Sequence, residues 1–561
     1  METIGEAATD TVDKYELSEA ERDKYIEAIL TSKSDKKVVV AGPGTGKTYL
    51  FKKILEGKKN SLTLTFVNSL VEDLALELYG LSEVKTLHSF GRSILATILK
   101  KKIDIYPKLS KVIKEDFKIL QGGDIEFDKI FHERDDSNEL LKFYESRRQY
   151  YGYYGFADVI FAAVKLLEAD KSTVPAYEQV LIDEFQDFNK LEVSLIDLLA
   201  EKSPILIAGD DDQALYEFLK HASAVHIRDR HGDEMPEYAS FNLPFCARCP
   251  QVVVEATNDL INTAKKNGLL KERISKPYKY LPNKNKDKIS SQFPTITHGS
   301  YYAKQIPWFI EKCIASIAEE IKNKFDVLII AATNKQVRSI AEALKEKGLA
   351  NIDHPDNSND REINFFDGFN MLLQNKDDNL GWRIVSSLIM NSDEFNELIK
   401  KTEADYSKKI HEYLPKEFTS GVLKTVKALK DILKDKSIDP ETLTAIFKQF
   451  GINANKISSN FLIEKITALD PAKGNPAIRN IPIKATTIQS SKGLSADIVF
   501  ITNFDDRFFL KDAKTITDQD ICNFLVALTR TKKKAFLISS VKNKTPSLLK
   551  WISKDKIETI K

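Results

Sequence analysis

A glycine-rich turn between an apolar run and a helix-like run is the first feature able to do chemistry. Residues 41–48 read AGPGTGKT, after the β-branched run 38–40 and before the helix-like stretch 49–55. Glycines let backbone N–H groups curl around phosphate oxygens, and the N-terminus of the following helix adds its positive end. Lys47 would reach the β- and γ-phosphates of a nucleotide, and the Thr48 hydroxyl would ligate Mg²⁺. The predicted nucleotide contacts of this loop are Gly42, Gly44, Thr45, Gly46, Lys47 and Thr48.

A pair of adjacent carboxylates follows a later apolar run. Residues 180–182 are Val-Leu-Ile and lead directly into Asp183 and Glu184. In that pattern Asp183 would hold Mg²⁺, and Glu184 would orient and deprotonate an attacking water. On its own the string is weak, because it is equally typical of a solvated loop. Coming after a phosphate loop, it predicts the second half of a nucleotide-hydrolysing site.

The elements that must position these residues are the strands of a parallel sheet. Short apolar runs at 38–40, 62–66, 180–182 and 205–208 each end in polar residues. Parallel strands deliver the side chains that follow them to one edge of the sheet, where ligands bind. The spacing therefore predicts an α/β fold in which the phosphate loop and the carboxylates meet at one edge.

Composition narrows the class of protein without naming a ligand. The 561 residues include 83 Lys plus Arg and 82 Asp plus Glu, so nucleic-acid binding cannot be argued from net charge. A length of 561 residues suggests about four domains. Four cysteines exclude a disulfide scaffold, and the lone Cys246/Cys249 pair lacks the second ligand pair of a typical zinc site.

Localisation and linkers are predicted from what the sequence contains. No apolar run approaches the roughly 20 residues that span a bilayer, and the N-terminal residues are acidic, so we expect no membrane association and a cytoplasmic location. The Lys-rich run 283–288 has little to bury and is the best linker candidate.

Six segments in order resemble the motifs of UvrD/Rep-type superfamily 1 helicases. They are AGPGTGKT (41–48), TLHSF (86–90), DEFQD (183–187), GDDDQALY (209–216), IQSSKGL (488–494) and VALTRTK (526–532). The resemblance implies an α/β fold of two RecA-like domains with parallel sheets, each carrying an inserted, mainly helical subdomain. The first domain would hold 1–85 and 155–270 around insert 86–154, and the second 271–355 and 476–561 around insert 356–475.

The same resemblance implies roles around the triphosphate of ATP. Gln213 would sit at the γ-phosphate and report hydrolysis to the DNA-binding surface, and Gly493 would lie against the nucleotide. Arg248 and Arg530 match the two arginines that face the γ-phosphate, where guanidinium groups stabilise charge spreading over its oxygens. Each arginine could instead pair with a surface carboxylate.

The nucleic-acid contacts implied by the resemblance combine aromatic platforms with polar contacts. Bases stack on aromatic side chains in a sequence-tolerant way, and polar groups meet phosphate or sugar. A single aromatic near a strand end is more often part of the core, so both interpretations stay open here. The predicted contacts are Phe66, Asn68, His88, Tyr216 and Phe218.

Several positions depart from the family pattern around the base and ribose. The glutamine that reads adenine is Glu21 here, and a carboxylate accepts hydrogen bonds but donates none. The aromatic residue that stacks on the adenine is Ala247, although Phe245 could substitute, and the glutamate at the ribose is Ser495. Sequence alone therefore predicts relaxed base preference or weaker nucleotide affinity, with hydrolysis retained.

Three functions fit these observations to different degrees. The first is an ATP-dependent 3′→5′ translocase or helicase on single-stranded or tailed duplex DNA, in repair or antiphage defence. The second is a DNA-sensing ATPase that regulates a partner nuclease without processive unwinding. The third, a degenerate structural homologue, is disfavoured by the intact Lys47, Asp183, Glu184, Gln213 and Arg530.

Overall fold

This computed structural model describes most of the chain and divides it into two compact units. The described residues are 6–65, 68–215, 221–320, 324–349, 351–354, 363–435, 445, 481–512, 514–541 and 544–560. The core unit consists of residues 1–87, 171–355 and 470–561, and the helical unit consists of residues 88–170 and 356–469. Both units are therefore assembled from segments that are distant in sequence.

Fifteen strands and twenty α-helices are assigned within the described residues. The strands are β1 Lys36–Ala41, β2 Ser61–Thr65, β3 Glu83–Thr86, β4 Gln179–Ile182, β5 Ile205–Gly209, β6 Ala239–Leu243, β7 Phe245–Cys246, β8 Lys279–Tyr280, β9 Ile296–Ser300, β10 Val327–Ala331, β11 Ile352–Asp353, β12 Ile483–Thr487, β13 Ala496–Thr502, β14 Thr531–Ser539 and β15 Ile557–Ile560. The helices are α1 Glu6–Thr31, α2 Lys47–Leu55, α3 Asn68–Glu77, α4 Leu87–Leu99, α5 Leu109–Gln121, α6 Phe127–His132, α7 Leu140–Tyr151, α8 Phe156–Ala169, α9 Lys190–Ala200, α10 Val225–His231, α11 Gln251–Lys266, α12 Lys284–Gln292, α13 Ile306–Glu320, α14 Asn334–Glu346, α15 Phe365–Gln374, α16 Asn379–Ile389, α17 Ser392–Ala404, α18 Lys416–Asp435, α19 Asp506–Phe509 and α20 Asp518–Leu528.

The core unit contains two large sheets built entirely from parallel pairs, and a two-stranded parallel sheet of β7 and β8. The first has the order β3-β2-β4-β5-β1-β6, and the second has the order β11-β12-β10-β13-β14-β9-β15. Strands β2, β4, β5 and β10 are buried along their whole length, which explains the apolar runs of β4, β5 and β10. The predicted α/β class with parallel sheets is confirmed.

The described part of the helical unit is held together by a buried ionic network. Both Arg147 and Arg383 donate to the Asp116 carboxylate, at 2.7 Å and 2.9 Å for their closest contacts. All three side chains are fully buried, and Tyr151 also donates to Asp116. Asp116 and Arg147 come from the first segment of the unit and Arg383 from the second, so the network joins the two segments.

The structure differs from the sequence-based expectations at the run 283–288 and at the domain boundary near residue 155. The run 283–288 is not a linker: it begins helix α12, which Asn283 caps by accepting from the Lys286 N–H at 2.9 Å. Lys286 is buried and donates to the carbonyls of Cys246 (2.9 Å) and Leu281 (3.2 Å), which replaces its hydration. Residues 155–170 belong to the helical unit, whereas the sequence predicted the first RecA-like domain to resume near 155.

Over the described residues, no helix has both the length and the apolar character that crossing a membrane requires.

Candidate nucleotide-binding site

The glycine-rich loop lies between β1 and α2, as a phosphate loop requires. Its conformation is left-handed at Gly44 and Gly46, with φ of 70° and 92°. A Cβ on Gly44 would lie 2.4 Å from the Cβ of Arg248, so only glycine allows this close approach. Helix α2 begins at Lys47 and includes Thr48 in its first turn. The loop thus directs a helix N-terminus and Lys47 into the same site.

The Lys47 ammonium group is held by the two carboxylates that follow β4. Its Nζ donates to Glu184 and lies 3.5 Å from Asp183 Oδ1. Glu184 has a left-handed backbone with φ of 56°, which is uncommon outside glycine and is found at functional sites. The two motifs, 137 residues apart in sequence, therefore meet at one sheet edge as predicted.

Opposing effects set the protonation states of these three groups. Burial alone lowers the pKa of Lys47, but Asp183 and Glu184 more than offset it, so the pKa of Lys47 is raised. Burial would raise the pKa of Glu184, but Lys47 and Lys492 reverse this, and the pKa is held well below its usual range. Burial raises the pKa of Asp183, with Lys47 acting against it. Glu184 is therefore an ionised carboxylate at neutral pH.

Lys492 is a site residue that sequence reasoning did not single out. It is buried, donates to Asp187 and to the Gln213 carbonyl at 2.6 Å, and lies 3.4 Å from Glu184 Oε2. Burial raises the pKa of Asp187 to about 6, with Lys492 acting against it. The signal was present, because Lys492 belongs to the IQSSKGL segment, but its partners lie about 300 residues earlier in the chain. Gly493, the predicted nucleotide contact, follows it with φ of 80°.

The Gln213 side chain connects the end of the first sheet to Arg530, which directly precedes strand β14 of the second sheet. Its Nε2 donates to Asp210 Oδ2 at 2.8 Å, and its Oε1 accepts from Arg530 Nη2 at 3.0 Å. Arg530 is buried and also donates to the Val526 carbonyl at 2.9 Å. Burial and the positive charge of Arg248 lower the pKa of Arg530 to about 10, so the two guanidinium groups influence each other. The structure thus bonds Gln213 to Arg530 and brings the charge of Arg248 close enough to act on Arg530; their roles at the γ-phosphate stay predictions.

Arg248 differs from Arg530 in its surroundings. It is half-buried, and it has no hydrogen-bond or ion-pair partner among the described residues. The segment around it is anchored to the phosphate loop, because the Ala247 N–H donates to the Gly44 carbonyl at 2.8 Å. Arg248 is therefore held beside the loop with its charge available for an anionic ligand.

Tyr278 is a second residue that sequence reasoning missed. Its hydroxyl donates to the Pro43 carbonyl at 2.9 Å, and its ring lies 2.9 Å from where a Gly42 Cβ would be. The same hydroxyl lies 3.9 Å from the Sγ of Cys249. Nothing in the sequence near Tyr278 marks it, because its contacts are with a loop 235 residues away.

A cluster of three buried carboxylates lies next to the site, at Asp210, Asp211 and Asp212. Lys276 is buried among them and lies 2.7 Å from Asp210 Oδ1 and 3.0 Å from Asp212 Oδ2. Arg273 donates to Asp212 at 2.7 Å. Arg228 lies 3.3 Å from Asp211 Oδ2. Because these three cations already balance the three carboxylates, the cluster does not fit a metal ion. Thr48 and Asp183 stay the predicted Mg²⁺ ligands.

Some of the residues predicted to contact the base or the nucleic acid have described contacts, and others lie outside the described residues. Glu21 accepts from Lys279 at 2.8 Å. Phe245 is buried beneath Lys279, whose Nζ lies 5.3 Å from its ring centroid, so it does not offer a free face for the base. Phe66, Tyr216 and Phe218 lie outside the described residues, as does the side chain of Asn68.

His88 is half-buried in the helical unit and packs against an aromatic ring. Its centroid is 4.8 Å from that of Phe156, and Phe156 is 42% exposed. Sequence reasoning did not identify Phe156, which begins helix α8 and follows no strand. Two adjacent rings with one accessible face form a candidate stacking surface.

Comparison with known proteins gives consistent matches. Residues 108–229 match the family model described as the UvrD/REP helicase N-terminal domain. A probable DNA helicase II homolog of Mycoplasma pneumoniae is 22% identical over 600 residues, covering 90% of this chain and 81% of that protein. The ATP-dependent DNA helicase srs2 of Schizosaccharomyces pombe is 27% identical over 220 residues, covering 38% and 23%. DNA helicase II of Haemophilus influenzae is 32% identical over 104 residues, covering 17% and 14%.

These matches agree with the fold and the site geometry. Each parallel sheet with its helices is a RecA-like domain, and the two domains share the charged cluster around Gln213. Together they support a UvrD-like superfamily 1 helicase, a class of ATP-hydrolysing enzymes.

Proposed function

We propose that this protein hydrolyses ATP to move 3′→5′ along single-stranded DNA and to separate duplexes ahead of it. The observation that carries the proposal is the Gln213–Arg530 hydrogen bond of 3.0 Å. It joins a γ-phosphate sensor in one RecA-like domain to an arginine of the other. A nucleotide bound there would contact both domains, so its hydrolysis would change the forces between them.

Nucleotide binding would change the ion pair between Lys47 and Glu184. In the structure the Lys47 ammonium neutralises Glu184 and lies 3.5 Å from Asp183. Nucleotide phosphates would compete for Lys47 and leave Glu184 free to orient and deprotonate water. Asp183 and Thr48 would hold Mg²⁺, and the two carboxylates near Lys47 fit a site that favours a cation. When bound, Mg²⁺ would neutralise charge on the phosphate oxygens.

The two arginines would act on the transferring phosphoryl group in different ways. Arg248 has its charge unpaired among the described residues, so it would meet the γ-phosphate without breaking an ion pair. Arg530 would move with the second RecA-like domain and would exchange its bond to Gln213 for one to phosphate. Charge stabilisation by Arg530 would then depend on domain position, which couples chemistry to movement.

The DNA substrate and the direction of movement rest on the family assignment and on the candidate stacking surface. Names of relatives include DNA helicase II and the DNA helicase srs2. His88 and Phe156 offer a stacking surface that suits single strands of any sequence. We place the activity in DNA repair or antiphage defence, the contexts predicted from sequence.

Strand separation on tailed duplexes tests the proposal. We expect ATP-dependent unwinding of a duplex with a 3′ single-stranded tail and little unwinding of the same duplex with a 5′ tail. Unwinding of the 5′-tailed substrate alone would contradict the direction. ATP hydrolysis that DNA stimulates, with both duplexes left paired, would instead support a DNA-sensing ATPase subunit with a partner nuclease.

A further inference from the structure

We propose that Cys246 and Cys249 are a redox-sensitive pair whose oxidation to a disulfide lowers ATP turnover. Both side chains are fully buried, and they flank Arg248, which lies beside the phosphate loop. A disulfide that forms and breaks reversibly is a sensor and not a scaffold, so the small number of cysteines does not exclude it. The effect on turnover rests on the proposed function, whereas formation of the disulfide does not depend on it.

Hydrogen bonds hold the two sulfur atoms together. The chain bends over residues 247–249, directly after β7, and the Cys249 N–H donates to Cys246 Sγ at 3.3 Å. The Cys249 thiol also hydrogen-bonds to the Cys246 sulfur. Because the two sulfur atoms are already in contact, side-chain rotation within this bend would bring them to the ~2.05 Å of a disulfide bond. The bond therefore requires only a local rearrangement.

The surroundings of the pair favour attack by Cys246. Burial would raise the pKa of the Cys246 thiol, but hydrogen bonds from Cys249 and Tyr278 and the charge of Lys286 lower it. Lys286 Nζ donates to the Cys246 carbonyl at 2.9 Å, and the Tyr278 hydroxyl lies 3.9 Å from Cys249 Sγ. The hydrogen bond to Cys246, together with burial, raises the pKa of Cys249, so this thiol keeps its proton. Because the thiolate is the nucleophile, Cys246 reacts first and Cys249 completes the disulfide.

A peroxide is the oxidant in this reaction. The Cys246 thiolate attacks one oxygen of hydrogen peroxide, the O–O bond breaks, and a sulfenic acid forms. The released hydroxide takes up the proton that Cys246 lost. The Cys249 sulfur then attacks the Cys246 sulfur, the S–O bond breaks, and the departing hydroxide leaves as water with the Cys249 proton. The two sulfur atoms together lose two electrons, and the peroxide is reduced to two water molecules. A reducing thiol breaks the disulfide again by exchange.

Oxidation would remove a hydrogen bond that connects the pair to the segment before Arg530. The Cys249 thiol donates to the Thr529 carbonyl at 3.4 Å, and Thr529 directly precedes Arg530. A disulfide sulfur carries no proton, so this hydrogen bond would be lost. The position of Arg530 therefore depends in part on the reduced state of Cys249.

The disulfide would also act on the phosphate loop and on Arg248. Cys246 Sγ lies 3.3 Å from where a Gly44 Cβ would be, so this sulfur packs directly against the loop and its movement would disturb the loop. Arg248 lies inside the ring that the disulfide closes, and the ring would restrict its backbone. Arg248 and Arg530, the two arginines of the proposed mechanism, would both be affected, so we expect turnover to fall.

The half-buried Cys313 provides an internal comparison. It is more exposed than the pair, but burial raises its pKa to about 12, so its thiol stays protonated. If reactivity follows thiolate character, the pair is oxidised before Cys313, and if it follows exposure, Cys313 is oxidised first. The order of oxidation therefore distinguishes a built redox site from general oxidation of accessible thiols.

Peroxide treatment of the full-length protein, followed by alkylation in denaturant, tests the inference. Peptide masses would be measured after a digestion that leaves the segment 246–249 intact. We expect the peptide with Cys246 and Cys249 to become two hydrogen atoms lighter and to take up no alkyl group, while Cys313 is alkylated. ATP turnover of the same sample should fall at least ~10-fold and return with dithiothreitol.

Three variants identify the sulfur atoms involved. Turnover of Cys246→Ala should not change on peroxide treatment, because the attacking thiolate is missing. Cys249→Ala should keep a dimedone-reactive sulfenic acid at Cys246, because no second thiol is present to displace its oxygen. The matched control is Cys313→Ala, which should respond to peroxide as the wild type does.

Free thiols at both positions after peroxide treatment, or oxidation of Cys313 ahead of the pair, would overturn the inference. So would a disulfide that leaves turnover unchanged, or inactivation of Cys246→Ala to the same extent as the wild type. Absence of ATP turnover in the reduced wild type would instead contradict the proposed function, and the peptide masses would still decide whether the disulfide forms.

Discussion

At the scale of single residues, the site depends on buried charges whose partners come from distant parts of the chain. Lys47 pairs with Glu184, Lys492 with Asp187, and the Arg530 guanidinium with the Gln213 side chain. Each of these three cations has a counter-charge or a hydrogen-bond partner, because leaving an ion unpaired inside a protein is costly. Nucleotide phosphates would replace some of these side-chain contacts, and the proposed mechanism depends on that exchange.

The two arginines should respond differently to removal. Arg248→Ala should reduce ATP turnover by at least ~100-fold while leaving the melting temperature nearly unchanged, because Arg248 has no partner to lose among the described residues. Arg530→Ala should reduce turnover similarly and also lower the melting temperature, because it removes buried bonds to Val526 and Gln213. Turnover and thermal unfolding of both variants check this, and equal melting temperatures would contradict it.

A buried carboxyl of the helical unit should make stability depend on pH. Burial raises the pKa of Asp158 to about 7, against 3.8 for an ordinary aspartate, although Arg148 lies 3.4 Å away. Between about pH 4 and pH 7 the folded state then binds more protons than the unfolded state, so this group's contribution to stability falls as pH rises. Asp158→Asn keeps an acceptor for the Gly155 N–H, which Asp158 receives at 2.8 Å, and removes the titration.

The expected result is a pH-dependent difference between the two proteins. Relative to wild type, Asp158→Asn should gain on the order of 2–4 kcal/mol in unfolding free energy between pH 5 and pH 8. Melting temperatures of both proteins at the two pH values measure this. A difference that stays constant across that range would show that the carboxyl does not titrate there.

How far single residues could be predicted depended on where their partners lie. Lys47, Asp183, Glu184, Gln213 and Arg530 follow strands or stand in motifs, so their types and order identify them, and the structure brings them together. Lys279 has no such signal, because it meets Glu21 only when the strand pair β7–β8 forms. Local spacing could not indicate that contact.

At the scale of elements, strands could be predicted better than linkers. The runs at 38–40, 180–182 and 205–208 form strands because β-branched and apolar side chains fill both faces of a covered parallel sheet. The run 283–288 is predicted as a linker because it is rich in lysine. It is a helix because one lysine is satisfied by carbonyls contributed from outside the run, a compensation that composition cannot show.

The buried ionic network of the helical unit should be essential to its stability. Asp116→Asn would leave two buried guanidinium groups without their shared carboxylate, and we expect a loss of about 3–5 kcal/mol. The matched control is Glu115→Gln, which removes a neighbouring carboxylate that contacts Arg383 at 2.9 Å but is 53% exposed. It should cost under ~1 kcal/mol. Urea unfolding of both variants compares them, and equal midpoints would contradict the assignment.

The candidate stacking surface can be tested at the start of helix α8. Phe156→Ala should weaken single-stranded DNA binding by about 10-fold, because a stacked base contributes about 1–3 kcal/mol, while basal ATP turnover is retained. Trp308→Ala is the control, since Trp308 is similarly exposed, at 41% against 42% for Phe156. Fluorescence anisotropy with a labelled oligonucleotide measures both. The same loss in both variants would argue against a specific platform.

At the scale of the whole molecule, the chain encodes two RecA-like domains whose segments are interleaved with those of a helical unit. The order of motifs was enough to predict the two sheets, because five of the six motifs lie at the end of a strand and the sixth, VALTRTK, leads from helix α20 into β14. The grouping of residues 88–170 with 356–469 was not predictable, because the Asp116–Arg147–Arg383 network that joins them carries no sequence signature. The central claim at this scale is that nucleotide hydrolysis at the shared site is coupled to DNA.

The most direct test is ATP turnover by the purified protein with and without single-stranded DNA, beside Lys47→Ala. We expect DNA to stimulate turnover several-fold, and Lys47→Ala to abolish both basal and stimulated turnover, because the variant lacks the cation that contacts the β- and γ-phosphates. Turnover that persists in Lys47→Ala, or a wild-type protein whose hydrolysis is indifferent to DNA, would contradict the account.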